Sequence, residues 1–119
     1  MSNWLKPEGD VCAVTGALGG MGVEICREFA RNGANVVLLD LDEEKVKAAA
    51  ADLAAEFGIH AEGYKMNATD EAEVQAAVDA TIANFGRVDV LVNTAGILRF
   101  AAMEDLPLSD WEQVLNVNL

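Results

Sequence analysis

The sequence predicts an α/β fold built on a doubly wound parallel sheet. Short apolar runs recur about every 25 residues, and each is followed by a stretch with helical periodicity. The first three helical stretches each end at a glycine: Gly33, Gly58 and Gly86. A third observation is local: residues 15–22, "TGALGGMG", hold four glycines between the first apolar run and the first helical stretch.

"VCAVT" (11–15) reads as a buried strand, because it is apolar without alternation. A helix over about 21–32 follows, with Ile25, Cys26, Phe29 and Ala30 on one face and Asn32-Gly33 as its stop. "NVVLLD" (35–40) is the second strand. Asp42 then caps a helix whose acidic first turn suits the helix dipole. Its stripe is Val46, Ala50, Leu53 and Phe57.

"HAEGYKM" (60–66) is a weaker third strand. Asp70 and Glu73 have the spacing of a capping box for a helix that buries Val74, Ala77, Val78, Ile82 and Phe85. "VDVLVNT" (88–94) is the fourth strand. A loop through "AGILRFAAMEDLPL" leads to a last helix, capped by Ser109 and Glu112, with Trp111, Val114 and Leu115 on its inner side. Strand–helix alternation of this length demands parallel pairing with right-handed crossovers.

Composition narrows the function classes. Residues 1–119 suit a single domain, and 52% hydrophobic residues suffice for a core. A net charge of −12 argues against nucleic acid or an anionic membrane as partner, since both require a basic face. No run of about 18 apolar residues suggests a transmembrane helix. The opening "MSNWLKPEGD" lacks a signal-peptide layout, so a cytoplasmic location is expected. Cys12 and Cys26 fall inside apolar runs and read as reduced, buried thiols. His60, the single histidine, reads as a solvated strand-edge residue, and no metal site is expected.

The glycines carry the chemistry. A phosphate needs backbone N–H groups directed at it with no side chain in the way, and a helix N-terminus adds partial positive charge. Two triples satisfy a phosphate-binding turn: Gly16, Gly19 and Gly22, or Gly16, Gly20 and Gly22. In such a turn the first glycine permits the sharp bend. The second allows close approach to a pyrophosphate, and the third allows close packing of helix on strand. Asp40 closes the second strand 18 residues beyond Gly22, near the spacing at which an acid grips a ribose 2′-hydroxyl. A Rossmann-type sheet is thereby expected. A glycine turn with no ligand, and a methyltransferase binding a nucleoside cofactor, remain compatible with these residues alone.

"DVLVNTAG" (89–96) separates them. With it, the sequence resembles the short-chain dehydrogenase/reductase family, which places T-G-x-x-x-G-x-G at the first strand–helix turn and N-N-A-G after the fourth strand. Thr15, Gly16, Gly20 and Gly22 match the first motif; Asn93, Ala95 and Gly96 match the second, with Thr94 in place of the second Asn. The epimerase-like branch uses T-G-x-x-G-x-x-G, which this turn also satisfies. That branch usually carries a His-Leu-Ala-Ala type segment on the fourth strand, and this chain does not. The resemblance covers Val11 to Leu119 and favours Gly16, Gly20 and Gly22, with Gly19 an extra small residue.

The resemblance implies a dinucleotide held by Gly16, Leu18, Gly20, Met21 and Gly22 at the pyrophosphate and by Asp40 and Leu41 at the adenosine ribose. It places Asn67 and Ala68 beside the adenine, and Asn93, Ala95 and Gly96 near the nicotinamide ribose. Asn67 stands where the family usually has an Asp; its amide can still accept a hydrogen bond but lacks the charge. Thr15 is expected to brace the loop. NAD is expected rather than NADP, because Asp40 would repel a 2′-phosphate and Ala17, Leu18, Gly19, Leu41 and Asp42 are all non-basic. The implied reaction is hydride transfer between nicotinamide and a secondary alcohol or ketone, by an enzyme expected to form a homo-oligomer when full length.

Asn118 falls on the apolar side of the last helix and matches the Asn that anchors a water in the family's proton relay. The family's Ser and Tyr-x-x-x-Lys have no counterpart here: the single Tyr64 is followed four residues later by Ala68. The chain therefore reads as the N-terminal half of such an enzyme, truncated after the fourth strand and the following helix, and inactive alone. A non-catalytic nucleotide-binding module and an inactive truncation product are the other readings.

Overall fold

The computed structural model describes residues 7–94. Seven elements alternate along them: β1 (Val11–Thr15), α1 (Gly20–Arg31), β2 (Asn35–Asp40), α2 (Glu43–Phe57), β3 (Ala61–Lys65), α3 (Glu71–Phe85) and β4 (Val90–Asn93). The expected last helix, with Asn118, lies outside the described residues, as do Ala95 and Gly96.

The strands form one sheet in the order β3-β2-β1-β4, and every pairing is parallel. Side chains alternate across it. Cys12, Val14, Val36 and Leu38 face α1 and α2, where they meet Cys26, Ala30, Val46, Ala50 and Leu53. Val11, Ala13, Val37 and Leu39 face the other way and meet Ala77, with Val74 and Phe85 packed alongside. Both faces of β1 and β2 are thus covered, which is why their sequences are continuously apolar. β3 approaches α2 closely at Gly63, where a Cβ would stand 2.3 Å from the Val46 carbonyl oxygen.

Helix ends follow local chemistry. Asp42 accepts from the Lys45 N–H, and Gly58 and Gly86 close α2 and α3 in the left-handed conformation. The capping box of α3 is only half made. Asp70 accepts from the N–H groups of Ala72 and Glu73, but its own N–H donates to the Asn67 carbonyl at 2.9 Å. Glu73 is drawn to Lys65, 3.5 Å away.

The buried face of α3 also differs from the periodic expectation. Ala77 and Thr81 occupy its centre, and the Thr81 hydroxyl is satisfied by the Ala77 carbonyl. Val78 and Ile82 lie round the helix from that line and are each 48% exposed. Leu91, level with Ala13 in the register and so on the same side of the sheet, is 67% exposed. Among the described residues, no β4 side chain joins the cluster under α3. Among the described residues, an apolar strip consequently has no cover beside it.

At the N-terminal edge of the sheet, Asp89 ties β1 to β4. Its carboxylate accepts from the Val11 N–H and from Arg87, both at 2.8 Å, and Arg87 also reaches Asp10. The Val11 amide, followed by Arg87, holds the Asp89 carboxyl below the usual aspartate range. Cys12 and Cys26 are free and buried, and burial pushes both thiols up to about 12. His60 is exposed, as expected, with its ring stacked on Phe85 at 4.1 Å between centroids. No helix among the described residues is long and apolar enough to cross a membrane.

Candidate active site

The strand order reverses between β1 and β4: from β1 the chain winds outward to β2 and β3, then returns to β4 on the other side. A crevice opens at such a switch point, beyond the C-terminal ends of the strands. The glycine turn lies there. Gly16 leaves β1 with φ +67°, a conformation that favours glycine. Gly22 is required by contact: a Cβ on it would lie 2.1 Å from the Gly16 carbonyl oxygen. Helix α1 can fold back against the end of its own strand only because that atom is missing.

Gly19 and Gly20 are different. Gly19 is the N-cap of α1 in extended conformation, and its added Cβ would make only ordinary contact, 3.4 Å from the Gly16 oxygen. At Gly20 an added Cβ would meet nothing within 4 Å. Protein packing therefore demands Gly16 and Gly22 but leaves space beside Gly20. The start of α1 also lacks a side-chain cap and an acidic first turn, whereas α2 and α3 have both. Its first-turn amides and positive dipole end meet no carboxylate from the helix itself, which fits an external anion.

Neighbouring strand ends hold the turn from both sides. On the β2 side, Ala17 N–H donates to the Leu39 carbonyl at 3.3 Å, and Leu18 N–H donates to Asp40 Oδ2 at 2.8 Å. Asp40 Oδ1 accepts from the Leu41 N–H at 2.7 Å. On the β4 side, the Thr15 hydroxyl donates to Asn93 Oδ1 at 2.6 Å. The Thr94 hydroxyl donates to the Thr15 carbonyl and, at 3.3 Å, to the Gly16 carbonyl.

Gly16, Leu18, Gly20, Met21, Gly22, Asp40, Leu41 and Asn93 thus gather at one end of the sheet, on the turn or the strand ends next to it. Leu18 packs its side chain on the core under α1 and α2, while Met21 and Leu41 are exposed. The Thr15 hydroxyl ties the end of β1 to that of β4, so the Asn93 oxygen is already engaged within the protein.

Asn67 and Ala68 follow β3. Ala68 packs against the cluster under α3. Asn67 closes a turn after β3. Its Oδ1 is used locally, accepting from the Thr69 N–H at 3.0 Å and the Thr69 hydroxyl at 2.7 Å. Thr94 is the residue whose role the sequence did not disclose. It stood out only as a departure from a motif. Its function follows from parallel register, which sets β4 beside Thr15.

Comparison with known proteins agrees with this geometry. Residues 10–119 match the family described as short chain dehydrogenase. The chain is 45% identical over 112 residues to a D-threitol dehydrogenase of Mycolicibacterium smegmatis, covering 94% of this chain and 43% of that protein. It superposes on the crystal structure of NAD+-bound xylitol dehydrogenase with a TM-score of 0.88 and 36% identity, over 97% of this chain and 44% of that one. NADPH-dependent 3-quinuclidinone reductase from Rhodotorula rubra matches with a TM-score of 0.87 and 31% identity, over 96% and 43%. The chain spans less than half the length of each of these proteins. With the glycine turn at the switch point of a parallel sheet and a family match over nearly its whole length, the chain belongs to the short chain dehydrogenase family.

Proposed function

We propose that residues 1–119 form the dinucleotide-binding half of an NAD-dependent oxidoreductase acting on a secondary alcohol or ketone. The observation that carries this reading is the combination at the switch point. A glycine turn with open space at Gly20 and an uncapped helix start lies one hydrogen bond from the carboxylate of Asp40.

The residues fit the cofactor's parts. Gly16, Leu18, Gly20, Met21 and Gly22 supply the turn and first-turn amides for a pyrophosphate. Asp40 offers the remaining lone pairs of its carboxylate to the ribose hydroxyls, beside Leu41. Asn67 and Ala68 border the base, with Asn67 presenting its NH₂ group. Asn93, Ala95 and Gly96 form the wall toward the nicotinamide ribose. Asn118 is proposed to anchor a water of the proton relay. When bound, the nicotinamide exchanges a hydride with the substrate carbon.

NAD rather than NADP is the proposed partner, because a carboxylate at position 40 repels a 2′-phosphate and residues 17–19, 41 and 42 offer no cation to offset it. Polyols are the first substrates to test, a choice supported by the similar proteins named for D-threitol and xylitol.

Titration with NAD and NADP tests the reading. NAD should bind at least about tenfold more tightly than NADP, and Asp40→Ala should weaken NAD by about tenfold or more, as expected for losing hydrogen bonds to a charged acceptor. Preference for NADP by the unaltered protein would refute the role given to Asp40.

A further inference from the structure

The glycine turn has little of its own to hold it in shape. Between Gly16 and Gly20 its one internal backbone bond runs from Gly19 N–H to the Gly16 carbonyl at 3.1 Å. Glycines lose more conformational freedom on ordering than any other residue, so a turn this rich in them must be held by its surroundings. Beside the packing of Ala17 and Leu18 on the core, three hydrogen bonds from the described residues around it hold it. Thr94 fixes the Gly16 carbonyl, the Leu39 carbonyl fixes the Ala17 amide, and Asp40 Oδ2 fixes the Leu18 amide. Of these, the Asp40 contact is nearest in sequence to the amides at the start of α1, and its acceptor is charged.

We infer that Asp40 is a positioning residue for the phosphate turn as well as the acceptor for the ribose: its carboxylate sets the Leu18 peptide, and through it the Gly19–Met21 amides, before any ligand arrives. The inference rests on the dinucleotide reading above for its functional meaning. Its structural basis is independent of that reading. Oδ2 holds Leu18 at 2.8 Å and Oδ1 is held in turn by the Leu41 amide at 2.7 Å, so the carboxylate plane is fixed at both oxygens. A carboxylate has about four acceptor sites, and these two bonds use half of them, so bracing and ribose recognition coexist. One side chain then couples the two seats. A substitution at position 40 meant only to change ribose preference should also loosen the pyrophosphate seat.

The test separates the two roles with a ligand that has no ribose hydroxyls. ADP and 2′,3′-dideoxy-ADP are titrated by calorimetry into the unaltered protein, Asp40→Ala and Asp40→Asn. The dideoxy ligand cannot use the ribose contact, so a pure ribose acceptor would leave its affinity unchanged. Bracing predicts that Asp40→Ala weakens dideoxy-ADP by about fivefold. Asn has one carbonyl oxygen for the two amides and can accept from Leu18 only by turning its NH₂ toward Leu41, so its affinity for dideoxy-ADP should fall between those of the Ala variant and the unaltered protein.

Amide hydrogen exchange on the ligand-free proteins gives a second readout. Leu18 should exchange about tenfold faster in Asp40→Ala, with the Val36–Leu39 amides unchanged. Equal dideoxy-ADP affinity in the Ala variant and the unaltered protein, or unaltered Leu18 exchange, would overturn the bracing role. Failure of the unaltered protein to bind ADP would instead refute the dinucleotide reading, and the exchange measurement would still decide the brace.

Discussion

Alanine at Gly22 and alanine at Gly20 should fail for opposite reasons, although the two glycines are two residues apart. At Gly22 the new Cβ would lie 2.1 Å from the Gly16 oxygen, 2.9 Å from the Gly16 carbonyl carbon and 3.0 Å from the Ala17 Cα. These are backbone atoms, so no side chain can swing aside. Reaching an acceptable contact requires α1 and the turn to part by roughly 1 Å, and overpacking of this kind typically costs about 1–3 kcal/mol. In a domain of this size the melting temperature should fall by roughly 5–15 °C. Cofactor binding should be lost with it, because the turn has moved.

At Gly20 an added Cβ meets nothing. Replacing a glycine in a helix by alanine gains up to about 1 kcal/mol, so the melting temperature should hold or rise slightly. The methyl group would instead stand where a pyrophosphate approaches the backbone, and NAD affinity should drop by about tenfold or more. Gly19→Ala, with its new Cβ in ordinary contact, should change neither stability nor affinity by much. Calorimetric melting and NAD titration of the three variants read both effects. Undiminished NAD binding by Gly20→Ala would refute its place at the phosphate, and an unchanged melt for Gly22→Ala would refute the close-packing argument.

Asp89→Asn should lower stability above about pH 4 by loosening the β1–β4 edge. Because the folded carboxyl is held below its ordinary value, its stabilisation is present above about pH 3.9 and is lost as pH falls through the folded value. Acid unfolding followed by circular dichroism should therefore show a shallower loss below pH 4 in the variant; parallel curves would refute the assignment. Cys12 and Cys26 should resist thiol reagents at pH 7.5 in the folded protein, since burial keeps both protonated, and react fully in denaturant. Rapid labelling of the native chain would contradict their burial. The polypeptide 1–119 should bind NAD without oxidising alcohols, because it holds no Tyr-x-x-x-Lys pair and general acid–base help is worth about 10²–10⁴-fold. NADH absorbance with a polyol panel checks this, and steady turnover would refute it. The open strip at Val78, Ile82 and Leu91 should drive self-association, which sedimentation reads and Leu91→Lys should reduce.

Secondary structure was legible wherever local chemistry decides it. Glycines 33, 58 and 86 stop helices, or follow directly on their last turn, because they accept a left-handed backbone; Asp42 and Asp70 start helices because a carboxylate satisfies free amides. Both signals lie within a few residues of the event they cause. The glycine turn and Asp40 were legible for a related reason: a phosphate and a ribose constrain residue type at fixed spacing along one chain.

Tertiary structure alone decided what depends on neighbours far apart in sequence. The room beside each glycine is one case, since only the folded turn sets the Gly16 carbonyl 2.1 Å from a Cβ at Gly22 and leaves nothing near one at Gly20. The inner face of α3 is another: its periodicity admits several stripes, and the sheet beneath selected Ala77 and Thr81 over Val78 and Ile82. Asp70 could make both halves of a capping box until the Asn67 carbonyl took its amide. The Asp40–Leu18 and Thr94–Gly16 bonds span 22 and 78 residues, and no pattern along the chain encodes them. They exist because parallel pairing brings the ends of β1, β2 and β4 level, and that register is a property of the sheet rather than of any one segment.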